Sequence, residues 1–244
     1  MTIKKTTGTV KVVTLIREEI VLDETFARSA IVTEGADKIG YIYLPEFYAD
    51  YEREDGNRCS EDIAKEIVKF KAENVKGIVI DGRQYPPKGG GSISMVLDEV
   101  LMDKKKDFAL FSTVVEGYPG YFKYTEAIQS GAENPNHYKG LVTLLVNEET
   151  QSTGEFMAMA MQVLPNMKVV GSTTAGADGN VTQAFQLPGG IFTLFTSLGV
   201  YYPNKVQTQQ IGIVPNVKVT QTLEGFRSGR DELFEKAVSL IGEQ

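Results

Sequence analysis

Two short, almost wholly apolar segments most narrow what this chain can fold into: residues 77–81 (GIVID) and 140–146 (GLVTLLV). Each is shorter than an ordinary helix and lacks the alternation of a strand with one wet face. Such runs are strands covered on both faces, the usual condition of a parallel sheet. Parallel neighbours need long crossovers between them, normally helices. The sequence supplies these. Ser60 is placed to cap a helix reaching residue 73, with Ile63, Ile67, Val68 and Phe70 on its apolar face. Residues 92–102 open another helix, 153–163 (TGEFMAMAMQV) form a tightly packable one, and 231–241 form an amphipathic one. Further strands are expected at 9–16, 38–44 (stopped by Pro45), 108–115 and 168–170, with one or two within 191–202. Residues 118–137 are aromatic and polar and read as a long excursion. Strands alternating with helices predict an α/β fold with a mainly parallel sheet. No linker is evident, so residues 1–244 read as one domain, with an N-terminal strand region (1–37) and a core (38–244).

With 244 residues, such a domain can bury a core without disulfides or metals. The single cysteine, Cys59, rules out an internal disulfide and any multi-cysteine metal site. Its context, Asn-Arg-Cys-Ser-Glu-Asp, is that of a helix start rather than of a thiol nucleophile. The net charge of −7, with no basic run beyond Lys104-Lys105-Lys106, argues against nucleic acid as a partner. No run of about 18 apolar residues suggests a membrane span. Residues 1–10 are polar and threonine-rich and do not read as a signal peptide, as would also hold for the mature form of an exported protein.

The segment richest in chemistry follows the second buried strand. It reads Asn147-Glu148-Glu149-Thr150-Gln151-Ser152-Thr153-Gly154-Glu155 and enters the small-residue helix. A serine at a strand-to-helix junction is held at the sheet edge, beside helix N-terminal amides that can stabilise an oxyanion. The same spacing also fits a plain capping box, Ser152 with Glu155 three residues on. Earlier, Asp81-Gly82-Arg83 closes the first buried strand, and Lys88-Gly89-Gly90-Gly91-Ser92 leads toward a helix. Three glycines let backbone amides approach a ligand closely, yet a flexible loop would look the same, and the pattern is no Walker loop.

Taken in order, the set is more specific: NVKGIVIDGR, GGGS, LLVNEETQSTGEFMAMAM, KVVGSTTAGADGNV, LPGG, VYYPN and QQIGIVPNVKV. From about Lys38 to the end it resembles the tail-specific, C-terminal-processing serine proteases of the Clp protease/crotonase-like superfamily. Residues 9–21 also resemble the strand that follows that family's PDZ domain. The resemblance implies a crotonase-like layered ββα core without that domain. It implies Ser152 as nucleophile, with the amide of Thr153 and a glycine among Gly89, Gly90 and Gly91 forming the oxyanion hole. The family's base lysine falls at Ala177, and Gln183 matches the glutamine that orients that lysine. The implied substrates are peptide or unfolded-protein C-termini, with no metal and no organic cofactor. The implied parent is periplasmic or exported, and a homo-oligomer is compatible with it.

Three departures bear on activity. Ala177 removes the base, the Asp-Leu-Arg-x-Asn loop is altered, and no PDZ domain is present. Some branches with a loop like TAGADGNV use a histidine relay from upstream. The only histidine, His137, precedes the strand at the end away from Ser152. Asp178 is too weak a base unless burial raises its pKa, and Lys88 belongs to the glycine loop. The expectation is a serine peptidase core that is weak or inactive as this chain. The alternatives are a peptide-binding domain without catalysis and an inert, trimmed or engineered scaffold.

Overall fold

A computed structural model describes residues 2–14, 26–49, 56–83, 100–179, 181–196 and 198–244. The strands are β1 (Thr2–Lys4), β2 (Val10–Val12), β3 (Arg28–Glu34), β4 (Asp37–Tyr43), β5 (Gly77–Asp81), β6 (Lys106–Val114), β7 (Phe122–Tyr124), β8 (Ile128–Ser130), β9 (Leu141–Val146), β10 (Met167–Gly171), β11 (Val181–Leu187), β12 (Ile191–Thr196), β13 (Gly199–Tyr201) and β14 (Val217–Lys218). The helices are α1 (Cys59–Ala72), α2 (Thr153–Gln162), α3 (Leu223–Arg227) and α4 (Glu232–Gly242).

The main sheet has the order β14-β10-β9-β5-β4-β3. All its neighbours pair parallel except β3, which returns antiparallel on β4. Alternation along each strand sends successive side chains to opposite faces. Ile78 and Ile80 of β5, with Val142, Leu144 and Val146 of β9, join the larger core beneath α1 and α2. Ile39, Val79, Leu145 and Val170 point the other way, onto Leu233, Ala237 and Ile241 of α4. Both faces of the sheet are thus covered, which is why GIVID and LVTLLV carry no polar alternation.

A smaller antiparallel sheet runs β13-β6-β7, and β8 also pairs with β6. It meets α2 through Phe156, whose ring lies 4.9 Å from that of Phe108 and 5.8 Å from that of Phe111. So α2 is sandwiched between two sheets, and its run of Gly, Ala and Met suits both contacts.

Several expectations are refined. The N-cap position of helix α1 is Arg58, not Ser60, because the Cys59 amide already bonds the Tyr48 carbonyl at 2.9 Å and fixes the first turn two residues earlier. Ser60 is buried inside that turn. Ile63, Ile67 and Phe70 are buried, but Val68 is exposed, since it lies about 100° round the helix from Ile67. The strand expected at 9–16 is reduced to β2, paired with β1 and exposed; residues 15 and 16 fall outside the described residues. The stretch 118–137 contains β7 and β8. Strands β3, β11 and β14 and helix α3 were not expected. Of the helix expected at 92–102, only residues 100–102 are described, 100 and 101 of them helical.

At the end of β5, Arg83 joins two acids. Its Nε and Nη2 reach Asp81 at 2.9 and 2.6 Å, and its Nη1 and Nη2 reach Asp231 at 2.8 and 2.6 Å. Asp231 also caps α4 by accepting the Phe234 amide at 3.0 Å. The Asp-x-Arg motif therefore ties the central strand to the helix on the sheet's far face.

Candidate active site

The turn from β9 into α2 is held by a residue the sequence reading passed over. Thr150 is buried. Its hydroxyl accepts the Asn147 amide at 3.1 Å and donates to the Gly82 carbonyl at 3.2 Å, and its carbonyl accepts the Ala175 amide at 3.0 Å. One side chain and its backbone thus clamp the end of β5, the turn and the loop after β10. Only the Asn147 bond is local; the other two partners of Thr150 are 68 and 25 residues away in sequence. Gly171, the last residue of β10, sits so close to β9 that a Cβ would lie 1.9 Å from the Val146 carbonyl oxygen, and its φ is +137°. This is the physical reason for glycine in Val-Val-Gly.

Ser152 stands exposed at the head of α2, with φ 52° and ψ −119°. An ordinary N-cap is extended. A non-glycine residue at this φ is strained and uncommon, and such strain collects at functional sites. The turn turns the serine outward, as a nucleophile on a sharp strand-to-helix elbow is turned. The capping arrangement with Glu155 coexists with this geometry.

Glu155 is fully buried and braces the site. Its carboxylate accepts the Ser152 amide at 3.1 Å, the Thr174 hydroxyl at 2.5 Å, the Gly176 amide at 2.7 Å and the Ala177 amide at 2.9 Å. The Ser152 and Ala177 amides share the oxygen Oε2 at 3.1 and 2.9 Å, so their nitrogens are at most about 6 Å apart. Ser152 and Ala177 are both exposed there. Thr174 also accepts the Ile213 amide at 2.7 Å, and Gly176 accepts the Gln210 amide at 2.7 Å. The segments STGE and TAGAD, far apart in sequence, meet at one carboxylate, and QQIGI is tied to the second of them.

The other candidates are distributed as follows. Thr153 is the first residue of α2. Gly89, Gly90, Gly91 and Lys88 lie outside the described residues. Gln183 lies on β11, where its backbone pairs with Phe195 next to a register shift. His137 lies before β9, its Nδ1 at 2.9 Å from the Asn134 carbonyl, in a cavity with Lys71 and Lys139 at the opposite end of that strand. Cys59 is buried, which pushes its thiol up to about 12 and leaves it a poor nucleophile. Asp178 is only 6% exposed rather than solvated. Burial first, then the nearby charge of Glu155, push its pKa up to about 7. No hydrogen bond joins it to Ser152 among the described residues.

The profile of peptidase family S41 matches residues 38–219. The chain belongs to peptidase family S41. Among the S41 relatives, the tail-specific protease of Haemophilus influenzae is 23% identical over 237 residues, covering 92% of this chain and 31% of the relative. The carboxyl-terminal-processing protease of a Picosynechococcus species is 24% identical over 238 residues, covering 96% of this chain and 52% of the relative. The chain therefore spans about half, or less, of the length of these relatives. Among solved structures, a Parabacteroides merdae protein described as a candidate peptidase superposes with a TM-score of 0.72 at 22% identity, over 88% of this chain and 65% of that one. The likeness is one of fold. The resemblance read from the ordered motifs is borne out at the level of family, and the α/β architecture with it.

Proposed function

We propose that this chain is the serine-peptidase core of an S41 protein, built on a crotonase-like layered ββα plan, with Ser152 as the residue that attacks a peptide carbonyl. The carrying observation is the exposed serine on a strained elbow, braced from below by Glu155. The amide of Thr153 and an amide of the Gly89–Gly91 stretch are the oxyanion donors in this reading. Peptide or unfolded-protein C-termini are the substrates, by likeness to the names of the relatives.

Hydrolysis by the chain as it stands is slow, because position 177 offers only a methyl group where the resemblance expects a lysine. A positioned base contributes about 10²–10⁴-fold. The same alanine favours a second reading, in which the groove binds peptides without cleaving them. The experiment compares wild type, Ala177→Lys, Ser152→Ala and the double variant, using a fluorophosphonate probe and an unfolded protein substrate. The expected outcome is slow labelling of wild type, labelling and cleavage raised by about 10²-fold or more in Ala177→Lys, and both lost with Ser152→Ala. Fast wild-type labelling would reveal a base elsewhere. A folded Ala177→Lys variant with no gain, together with tight peptide binding by wild type, would favour the binding reading.

A further inference from the structure

Against the Ala177 loop lies a second cavity of about 590 Å³, whose walls include Ser112, Asp178, Thr196, Tyr201, Gln207 and Gln209. Its volume falls within the range of about 300–1,000 Å³ typical of ligand sites. Asp178 is the only charged residue among the described residues lining it. Its Oδ2 is buried without a hydrogen-bond partner among the described residues. The neighbouring donors point elsewhere: the Gln207 amide donates to the Gln209 carbonyl at 2.8 Å, and the Gln209 amide to the Leu198 carbonyl at 3.5 Å. The Ser112 hydroxyl accepts the Gly199 amide at 3.2 Å. A buried carboxylate oxygen without a donor is costly unless a ligand supplies one. The lining of the cavity includes Gly176 and Ala177, whose amides bond the same Glu155 carboxylate as the Ser152 amide.

We propose that this cavity is a side-chain subsite of the Ser152 groove, where Asp178 receives the cationic end of a substrate lysine or arginine. The assignment rests on the reading of the groove as peptide-binding. A cation entering the cavity would meet the hydroxyls and amide oxygens of the wall and pair with Asp178 at the floor. Among the described residues, the titratable groups about Asp178 are Glu155 from α2, whose charge opposes ionisation, and Tyr201 from β13, which lines the same cavity. Because Asp178 titrates near neutrality, the preference for a cation strengthens as pH rises through about 7, where the carboxylate forms.

The test is fluorescence anisotropy of matched peptides carrying lysine or norleucine at one position, scanned along the peptide, at pH 6 and pH 8. At one position the lysine peptide should bind about tenfold tighter at pH 8. That advantage should shrink at pH 6 and vanish in Asp178→Asn. Equal binding of both peptides at pH 8, or a lysine preference that survives Asp178→Asn, overturns the proposal. If Asp178→Asn does not fold, the pH dependence in wild type decides alone. If neither peptide binds, the peptide-groove reading fails, and n-butylguanidinium then tests the cavity by itself through the ¹³C resonance of the Asp178 carboxyl. A fall in the Asp178 pKa with the probe supports a cation site there, and no change at millimolar probe removes it.

Discussion

At position 152 the backbone sits where glycine would rest with less strain than serine. Conformations of this kind cost about 1–3 kcal/mol in a residue with a Cβ, and glycine is nearly as good an N-cap as serine. Ser152→Gly should therefore raise the unfolding free energy by about 1 kcal/mol in urea titrations, net of glycine's greater chain entropy. Ser152→Ala should bring no such gain; equal stability of the two variants would mean that the elbow stores no strain. Glu155 makes the opposite case. Glu155→Gln puts an NH2 where one carboxylate oxygen accepts, so at least one of the buried amides or the Thr174 hydroxyl loses its acceptor. Each unsatisfied group costs about 1–3 kcal/mol, and a loss of about 2–4 kcal/mol is expected from the same titrations. Of these residues, Ser152 was legible in position because a strand-to-helix junction follows from local order: apolar strand, polar turn, small-residue helix. The convergence of Thr174, Gly176 and Ala177 on Glu155 was not, because residues 19 to 22 positions apart meet only once β10 has folded beside β9. Asp178 reads as a solvated loop acid for the same reason, since burial is a property of neighbours.

Among the elements, the link between β5 and α4 depends on charge. Burial works against ionised Asp231, but the Arg83 hydrogen bonds and the Phe234 amide outweigh it and hold its carboxyl below the usual range. A carboxyl whose pKa is depressed by folding stabilises the fold above its unfolded value, near 3.9, and that contribution fades as pH falls through the lower folded value. The urea midpoint should thus fall as the pH drops below about 4. Asp231→Asn, which keeps the cap but not the charge, should lower the midpoint at neutral pH and flatten its fall in acid. An unchanged acid limb would separate Asp231 from the effect. The elements legible beforehand were those that announce themselves locally, by apolar runs (β5, β9) or helical periodicity (α1, α4). Strand β3 is mostly exposed and β14 has two residues, so neither carries an apolar signal; each exists through the partner it pairs with. The start of α1 lies two residues before Ser60 because a backbone bond from the Cys59 amide to the Tyr48 carbonyl sets it, not a side-chain cap.

For the whole molecule, the two faces of the main sheet are unequal. One is covered by α1 and α2 and the second sheet; the other depends largely on α4. Burying Leu233 and Ile241 contributes about 1.5–3 kcal/mol each, against a total stability of about 5–15 kcal/mol for a domain. A chain ending at Arg230 should therefore lose its fixed tertiary packing. Near-UV circular dichroism from its tyrosines should collapse, and a dye that reports exposed apolar surface should bind. A sharp thermal transition close to that of the full chain would refute this. The same dependence sets a timetable for synthesis. Strand β5 is made early, yet its parallel partner β9 follows some 60 residues later and the helix that seals the sheet's second face some 90 after that. At about 5–20 residues per second, Ile39 and Val79 wait on the ribosome for roughly 8 to 40 seconds before α4 exists to cover them. During that interval the nascent chain presents a sticky apolar surface, and holding chaperones would have their chief opportunity to engage it.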